Sequence, residues 1–307
     1  MNTRVLAIIV SYNFVGWMKR CLGSLRCSEL PVDVVVIDNF STDDTVQMIK
    51  KNYPEVRLIC SNENLGFGRA NNIGLRIALE ENYDAAFLLN QDAWVEKKTI
   101  GTLLKLCRKY PQYGVLSPIH LTGKGDKLDH GFAIYTGVDK LSRFDRDKDV
   151  ISVPFINAAF WMIPAKVLCE IGGFCPLFYH YGEDKDYANR LISHRYLIGY
   201  SPLVLGWHDR ENRTGTLNEG FRAEFIYLLT EFIYLLTELV NINYSFKKAF
   251  RYSIKVSFKK ACISLKTGEW YDFKQWLLIT FRLGWRIKKV LDYRKRNKNK
   301  APNYIIN

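Results

Sequence analysis

Short hydrophobic runs and longer amphipathic segments alternate along the first third of the chain. Four runs rich in β-branched residues show little polar alternation, which is typical of strands buried on both faces; they are residues 5–10, 34–37, 56–59 and 85–89. Helix-like periodicity occupies residues 16–27, 42–52, 67–82 and 97–110. Ser41, with Asp44 three positions later, predicts a capped start for the second helix. The alternation predicts an α/β fold with a parallel sheet and right-handed crossovers.

Each of the four predicted strands ends in polar residues. These ends are Ser11-Tyr12-Asn13, Asp38-Asn39, Asn62-Glu63-Asn64 and Asn90-Gln91-Asp92. Because ligands of parallel sheets bind at the carboxyl ends of the strands, we expect the four clusters to meet at one edge. Asn90 and Asp92 are two positions apart, on one face of the strand, and their oxygens suit a hard divalent cation. Taken alone, the three residues also fit an ordinary exit from a strand.

Beyond the fourth helix the pattern is less regular. Residues 119–152 are charged and predict a long loop or small insertion, 153–163 predict a strand, and 187–193 predict a helix. Residues 224–237 are a perfect duplication of EFIYLLT, which predicts a mostly apolar, buried helix. The seven-residue period places three acidic residues on one polar seam of that helix: Glu224, Glu231 and Glu238.

Two later clusters are candidates for chemistry. Glu183 and Asp184 precede a helical run, where acids stabilise the first turn but could also supply a general base. His208 follows an apolar run, and a lone histidine is more often structural than a ligand. Asp38 lies where dinucleotide folds bind a ribose, yet no glycine loop follows the first strand and no GxxxxGK[ST] occurs. NAD and P-loop nucleotide sites are therefore disfavoured.

The distribution of charge along the chain adds more to these predictions than the overall composition does. The net charge is +13, but residues 243–307 hold 17 Lys and Arg against three acids, so the rest of the 307-residue chain is nearly neutral. Such a tail suits an anionic partner, either membrane lipid or nucleic acid. Seven cysteines without a CxxC pair favour reduced thiols over disulfides or zinc. We expect neither a signal peptide nor a membrane-spanning helix.

The basic tail also has an amphipathic pattern. Apolar residues recur every fourth position beside a row of cations and are followed by three tryptophans: Phe246, Phe250, Ile254, Phe258, Trp270, Trp276 and Trp285. The pattern fits a helix lying in an anionic membrane surface and equally a helix packed on the domain with a solvated basic face. Nucleic-acid binding through the tail is a rival function, but no recognition motif supports it.

Six short motifs occur along residues 4–210 in a definite order: VSYN, VVVIDNFSTDDT, NENLGFGRANNIGL, LLNQD, Gly-Gly-Phe before GED, and a late histidine. In this order they resemble the family 2 glycosyltransferases of GT-A fold, most closely the bacterial rhamnosyltransferase-like members. The resemblance implies a Rossmann-like, mostly parallel sheet with flanking helices over residues 1–223. Residues 1–112 would be its nucleotide-binding half and 113–223 its acceptor half, with 224–307 as a helical, basic extension.

The resemblance also implies an activity and its residues. It implies an inverting, metal-dependent transfer of a sugar, rhamnose as first choice, from a nucleotide-diphosphate donor to an acceptor hydroxyl in cell-surface polysaccharide synthesis. Asp92 and His208 correspond to ligands of Mg²⁺ or Mn²⁺, and Asp184, beside Glu183, corresponds to the catalytic base. The nucleotide-sugar site would include Ser11, Asn13, Asp38, Asn64, Gly66, Asn72 and Asn90. A glycan or lipid-linked acceptor implies a cytoplasmic protein, peripheral on the inner face of the plasma membrane.

The chain departs from the family pattern at three places. Asn90 replaces the first acid of the DxD motif, Cys175 follows Gly-Gly-Phe where Asp is usual, and Asn157-Ala158-Ala159 replaces a glycine-containing turn. A nucleotidyltransferase on a similar sheet is the rival enzyme. It usually needs a basic, glycine-rich loop after the first strand, where this chain has SYNFVGW. Release of pyrophosphate instead of a nucleoside diphosphate would distinguish it.

Overall fold

One large mixed sheet forms the centre of the protein. The structure, a computed structural model, describes residues 3–212 and 219–305, with side chains from residue 229 onward in the second range. The strands are β1 (Val5–Ser11), β2 (Asp33–Asp38), β3 (Arg57–Cys60), β4 (Ala85–Leu89), β5 (Ala93–Val95), β6 (Tyr113–Thr122), β7 (Ile151–Val153), β8 (Phe160–Pro164) and β9 (Leu197–His208). Within these described residues their order is β3-β2-β1-β4-β8-β6-β9-β5, and β7 also pairs with β9.

The first four strands are parallel, as their apolar runs predict. β1 pairs with β2 on one side and with β4 on the other, and β3 pairs with β2. Alternate residues of β1 enter different cores, since Leu6 and Ile8 pack on one face of the sheet and Ala7 and Ile9 on the opposite face. Burial on both faces explains why these runs lack polar alternation. The register places the carboxyl ends of β1 and β2 side by side.

Helices cover both faces of the sheet and continue into a C-terminal extension. They are α1 (Val15–Arg26), α2 (Thr45–Asn52), α3 (Phe67–Glu80), α4 (Thr99–Lys109), α5 (His130–Thr136), α6 (Ala165–Ile171), α7 (Glu183–Ser193), α8 (Glu219–Val240), α9 (Phe246–Thr267), α10 (Trp270–Trp285) and α11 (Ile287–Asn297). Helices α1, α2 and α4 pack on one face, and α3, α6 and α7 pack on the other. The predicted α/β class with flanking helices and a helical C-terminal extension is confirmed.

The second half of the sheet differs from the sequence prediction. The segment 119–152, predicted as a loop, begins inside β6 and includes α5. Proline cannot donate to a ladder, so Pro118 argues against a strand there, and the pairing of β6 with β9 indeed shifts register between Pro118 and Ile119. The strand predicted at 153–163 is instead two separate strands, β7 and β8, with residues 154–159 between them. Its first part, β7, pairs with β9, whereas β8 is antiparallel between β4 and β6.

The predicted cap of the second helix is wrong. Helix α2 begins at Thr45, directly after Asp44. Ser41 instead donates its hydroxyl to Asp38 Oδ1 (2.5 Å) and its backbone N–H to Asp38 Oδ2 (3.1 Å). A buried carboxylate at the end of β2 therefore competes successfully for the serine that would otherwise cap the helix.

The C-terminal helices pack into a third core against the α/β body. The buried residues at its centre include Cys175, Phe178, Leu235, Leu236, Leu239, Trp276, Ile279 and Leu283. Phe246, Phe250 and Ile254 pack against this core, whereas Phe258 is 56% exposed. For most of the predicted apolar row on α9, the packed alternative is therefore correct. The division between residues 223 and 224 stays a prediction, since α8 itself begins at Glu219.

Polar contacts fix the same extension. The buried guanidinium of Arg294 donates to three backbone carbonyls, those of Leu239, Asn241 and Tyr244. In the duplicated helix, Glu231 pairs with Lys260 at 2.9 Å, and burial raises the pKa of Glu238. Glu224 lies outside the described side chains. Of the helices that the structure describes, none is long and apolar enough to cross a bilayer.

Candidate functional site

The polar ends of the first three strands come together at one edge of the sheet. The β1–β3 cluster consists of Ser11, Asn13, Asp38, Asn39, Ser41 and Asn64. Asp38 is buried, and its Oδ1 accepts the hydroxyls of Ser11 (3.0 Å) and Ser41 (2.5 Å). Two neutral donors and a backbone N–H therefore hold this carboxylate in one orientation.

The loop after β3 joins this cluster through amide side chains. Asn64 Oδ1 accepts from Asn39 Nδ2 and from the backbone N–H of Gly66, both at 2.9 Å. Gly66 has a φ of +76°, and a Cβ there would lie 2.1 Å from the carbonyl oxygen of Tyr179. Only glycine fits this close approach in the left-handed region. The Tyr179 hydroxyl donates to the backbone carbonyl of Asn64 (2.8 Å), so the loop is fixed from both sides.

Asn13 and Gln91 tie the remaining loops together. Asn13 has a φ of +52°, and its Oδ1 accepts the N–H of Thr42 at 2.9 Å. Both amide atoms of Gln91 bond to the backbone of Tyr12: Oε1 accepts its N–H (2.7 Å) and Nε2 donates to its carbonyl (3.0 Å). Gln91, the middle residue of Asn90-Gln91-Asp92, thus connects the ends of β1 and β4. Asn90 and Asp92 belong to a second cluster at the end of β4.

Asn72, predicted to line the donor pocket, is committed to the chain itself. Its Nδ2 donates to the carbonyl of Phe174 (2.8 Å), and its Oδ1 accepts the N–H of Phe174 (2.7 Å). A Cβ on Gly173 would lie 2.3 Å from that Oδ1, which explains a glycine in the Gly-Gly-Phe motif. Asn72 holds the approach to α7, and a direct contact with a donor stays a prediction.

The second cluster lies where β4 ends beside β9. A turn closed by the Ala93 N–H and the Asn90 carbonyl (3.1 Å) follows β4, and pairing of β5 with β9 places Ala93 opposite His208. His208 Nε2 is 3.3 Å from Asp92 Oδ1 and 3.3 Å from Asn90 Nδ2. All three side chains are largely buried. Asn90, Asp92 and His208 therefore lie together, brought there by a turn and not by one strand face, and their role as metal ligands stays a prediction.

The other side of His208 involves two residues that the sequence did not single out. Asp129 Oδ1 caps α5 by accepting the N–H of Phe132 (3.0 Å), and its Oδ2 lies 3.6 Å from His208 Nδ1. Arg210 Nε donates to His208 Nδ1 (3.1 Å) and is 3.3 Å from Asp129 Oδ2. We call Asn90, Asp92, Asp129, His208 and Arg210 the β4–β9 cluster. Asp129 was detectable as a helix cap, but its approach to His208 depends on contacts distant in sequence.

The donor atoms of this cluster fit a hard divalent cation. Asn90 Oδ1 is buried and has no hydrogen-bond partner among the described residues. It accompanies the Asp92 carboxylate and an imidazole nitrogen, and Mg²⁺ and Mn²⁺ accept these ligand types. In residues 3–212 and 219–305, no group of three or more His, Cys, Asp or Glu could enclose a metal by itself. A cation here would therefore share its coordination with ligand phosphates or water.

Glu183 and Asp184, the α7 acidic pair, begin helix α7. Glu183 is 7% exposed, and its Oε2 has no hydrogen-bond partner among the described residues. Burial and the neighbouring Asp184 raise the pKa of Glu183 to about 8. Burial also raises the pKa of Asp184, opposed by the Lys185 N–H and the Arg210 guanidinium. The Lys185 N–H and the Arg210 guanidinium favour the carboxylate form of Asp184, whereas burial and the Asp184 charge favour a proton on Glu183.

One turn further along α7, Asp186 has a different environment. It forms a fully buried ion pair with Arg190 at 2.9 Å. The Arg190 guanidinium also donates to the carbonyls of Ile171 (2.9 Å) and Gly173 (2.6 Å), which completes its hydrogen bonding. Asp186 is therefore structural. The start of the helix is closely packed as well, because a Cβ on Gly182 would lie 2.7 Å from Ile233 of α8.

Two of the three departures from the family pattern have structural consequences. Cys175 is buried and belongs to the third core, so a small apolar side chain replaces a charged one where the extension packs. Asn157 is buried before β8, and its Oδ1 also has no partner in the described part of the chain. The Ala159 carbonyl accepts the Asn90 N–H (3.0 Å), so this turn adjoins the β4–β9 cluster.

Comparison with known proteins gives one consistent result. The family model described as glycosyl transferase family 2 matches residues 6–172. The chain is 25% identical over 243 residues to the N-acetylglucosaminyl-diphospho-decaprenol L-rhamnosyltransferase of Mycobacterium tuberculosis, with 69% of this chain and 78% of that protein covered.

Solved structures agree on the architecture. The S. aureus TarS fragment 1–349 in complex with UDP-GlcNAc aligns with a TM-score of 0.61 at 13% identity, over 99% of this chain and 89% of that one. GalNAc-T7 with UDP, GalNAc and Mn²⁺ aligns with a TM-score of 0.64 at 13% identity, over 99% and 56%. At these identities the likeness concerns the fold alone, and the expected GT-A fold is confirmed.

Proposed function

The chain belongs to glycosyl transferase family 2, and we propose that it transfers rhamnose, with inversion, from a nucleotide-diphosphate donor to an acceptor hydroxyl. The observation that carries the proposal is the β4–β9 cluster. There, Asn90, Asp92 and His208 converge beside Arg210, whose charge also acts on the α7 acidic pair. The proposed diphosphate site and the proposed base would thereby be adjacent. The rhamnosyl specificity rests on the relative from M. tuberculosis, whose name states that sugar.

The β1–β3 cluster would bind the nucleotide. Asp38 is held by Ser11 and Ser41 so that its Oδ2 keeps acceptor capacity for an N–H of the base. Asn13 and Asn64 order the loops after β1 and β3 on either side of it. A preordered pocket loses little conformational freedom when the donor binds, which favours affinity.

The metal, Mg²⁺ or Mn²⁺, would be held by Asp92, His208 and the unpartnered oxygen of Asn90. When bound, a divalent cation neutralises the negative charge that develops on the departing diphosphate. Asn90 contributes an oxygen without a charge, so the site has one carboxylate where a DxD motif has two. The Arg210 guanidinium, in contact with His208, supplies additional positive charge at this place.

Asp184 would act as the general base. It accepts the proton of the acceptor hydroxyl while the hydroxyl oxygen bonds to the anomeric carbon. The bond from that carbon to the diphosphate oxygen breaks on the opposite side, and its electron pair leaves with the diphosphate. A single displacement inverts the configuration and needs no covalent intermediate. The raised pKa of Glu183, about 8, favours a proton on that residue, which would leave Asp184 as the carboxylate of the pair.

We propose a lipid-linked glycan as the acceptor, for a step in cell-surface polysaccharide synthesis at the inner face of the plasma membrane. The M. tuberculosis relative supports this class of acceptor through its name, and the charge asymmetry of the tail supports an anionic surface. Nothing in the described structure favours nucleic-acid binding over this assignment.

The test is a panel of nucleotide sugars, each with Mg²⁺, Mn²⁺ or a chelator. Thymidine diphosphate rhamnose should raise the melting temperature and, with a lipid-linked glycan acceptor present, release thymidine diphosphate in a metal-dependent way, and NMR of the glycosylated product should show the inverted anomer. Stabilisation by a different nucleotide sugar would replace the rhamnosyl assignment. Release of pyrophosphate, as from a nucleotidyltransferase, would contradict the proposed reaction as a whole.

A further inference from the structure

Helix α10 has an exposed apolar face that the packing of the extension does not use. Trp270 is 62% exposed, Phe281 65% and Trp285 79%, and Leu277 and Leu278 are exposed beside them. These positions lie on one side of the helix, because residues spaced by four and seven share a face. The opposite side is the buried one, formed by Trp276, Ile279 and Leu283.

This face differs from the apolar row that the sequence emphasised on α9. Phe246, Phe250 and Ile254 of that row are packed against the third core, and Trp276 is buried with them. Helix α10 is apolar on both sides, so one side fills the core while the other remains at the surface. Large exposed apolar patches with polar borders mark interaction sites in soluble domains.

The charges around the face indicate what covers it. Lys274 lies within it, and Arg282, Lys288 and Lys289 are exposed along α10 and the start of α11. Residues 243–307 hold 17 cationic side chains and three acidic ones, so a second copy of this surface would be repelled. An anionic lipid surface complements both features, because the headgroups attract the cations and the acyl boundary accepts the aromatic rings.

We propose that α10 docks the protein on an anionic membrane, lying in the plane of the interface with Trp270, Phe281 and Trp285 inserted. The proposal deepens the proposed function by naming the surface that would bring the protein to a lipid-linked acceptor. Only this connection to the acceptor rests on the proposed function. Docking itself requires no sugar transfer.

The face is held rigidly and is connected to the α7 acidic pair. The Thr280 hydroxyl donates to Ser257 Oγ of α9 (2.9 Å), and Lys260 of α9 lies over the Trp276 ring (4.6 Å). Helix α8 packs on the other side of this core and contacts Gly182, immediately before Glu183. The docking face therefore needs no folding on the membrane, and α8 links it to the start of α7.

The test measures binding of the full chain to vesicles of phosphatidylglycerol and phosphatidylcholine, without donor or metal. Wild type should sediment with these vesicles and not with pure phosphatidylcholine. Replacement of two inserted side chains, Phe281→Ser with Trp285→Ser, should lower the partition coefficient by about tenfold or more, since each loses the burial of a large ring. The matched control, Ile192→Ser with Leu197→Ser, removes exposed apolar residues from the α/β body and should bind as wild type.

Salt dependence and tryptophan fluorescence separate the electrostatic contribution to binding from the insertion of aromatic rings. High salt should weaken wild-type binding without abolishing it, because only the cationic contribution is screened. A triple change at Lys274, Lys288 and Lys289 to Gln should reduce binding at low salt. The conservative Trp285→Phe should retain binding yet lose part of the blue shift in tryptophan emission, which also controls for misfolding of the serine variant.

Three results would overturn the proposal. They are equal binding by wild type and the Phe281→Ser, Trp285→Ser variant, absence of wild-type binding to anionic vesicles at low salt, and a wild-type dimer that the same variant dissociates. The last would identify a second copy as the occupant. Metal-dependent cleavage of a nucleotide sugar, measured without vesicles, is independent of all three, so docking and the proposed reaction fail separately.

Discussion

The two polar clusters at the sheet edge differ in how completely the chain satisfies them. In the β1–β3 cluster, Asp38 and Asn64 are each bonded by several groups of the chain. Beside the β4–β9 cluster and in the α7 acidic pair, three buried oxygens have no partner among the described residues: Asn90 Oδ1, Asn157 Oδ1 and Glu183 Oε2. Both regions are built from polar side chains, so the presence of polar residues alone does not distinguish them.

The difference predicts that groups of a ligand bond in the second region and that the first region is complete without them. Buried polar groups in native proteins are nearly always hydrogen-bonded, and each exception needs an explanation, such as a bound ion, a water or a catalytic role. The β1–β3 cluster fixes loop geometry through its own hydrogen bonds, whereas the second region contains buried oxygens that the described residues do not bond. Substitutions should therefore change stability in the first region and turnover or metal affinity in the second.

The largest effect is expected at Asp92. Asp92→Ala removes the one carboxylate of the proposed metal site, and loss of the Lewis-acid contribution should lower the transfer rate by about a thousandfold or more. Turnover with added Mn²⁺ and the melting temperature are the two measurements. Asp209→Asn is the matched control, because it keeps an acceptor for Trp17 at the adjacent buried position. Near-normal, chelator-sensitive turnover of Asp92→Ala would contradict the metal assignment.

Two acidic residues within one turn of helix α7 are expected to differ in the same way, one affecting turnover and the other stability. Asp184→Asn should lower turnover by about a hundred- to ten-thousandfold and leave donor affinity unchanged, since a general base acts on the acceptor. Asp186→Asn should instead destabilise the fold by about 3–5 kcal/mol, because it leaves the buried Arg190 charge uncompensated. Calorimetric donor binding and urea unfolding separate the two. Loss of donor binding in Asp184→Asn would make Glu183 the better candidate for the base.

A smaller effect is expected at Asp129, a positioning residue. Asp129 Oδ2 lies 3.3 Å from the Arg210 Nε that donates to His208 Nδ1, so this carboxylate helps to orient the imidazole for a metal at Nε2. Asn in place of Asp129 can still cap α5 but loses the charge that pairs with Arg210 and presents an N–H towards that guanidinium. Mn²⁺ affinity, followed by paramagnetic resonance, should fall by about 10- to 100-fold. Asp126→Asn, in the same loop and bonded to the Thr122 hydroxyl, should not change it.

The sequence predicted the half of the fold that depends on local pattern. Four apolar runs gave four parallel strands, and their polar ends met because parallel pairing leaves no other arrangement. β6 was not predicted, because Pro118 is a local signal against a strand and only the pairing with β9 overrides it. Ser41 has two possible partners, and sequence could not show that buried Asp38 would take it.

Long-range contacts also limited what the sequence could predict about the candidate site and the tail. Motif order brought Asn90, Asp92 and His208 together, but the neighbours of His208 come from a helix cap and a loop that no motif includes. In the tail, periodicity identified an apolar row on α9 without showing that the third core would bury most of it. Which apolar side meets solvent is decided by packing partners, and those are long-range.

The smallest expected effect concerns Glu183 and its proton. The folded pKa of about 8 lies above the unfolded value of 4.5, so the folded protein binds more protons between these values and wild type loses stability as pH rises through them. Glu183→Gln removes that loss, so its melting temperature should exceed that of wild type by a few degrees (about 2–4 °C per kcal/mol) at pH 8 and by less at pH 5. Glu170→Gln is the opposite control, because Lys300 lowers the pKa of Glu170 and its removal should cost stability at neutral pH. A difference between Glu183→Gln and wild type that does not vary with pH would mean that Glu183 is ionised in the folded protein, and the proton of the α7 acidic pair would then have to be assigned to Asp184.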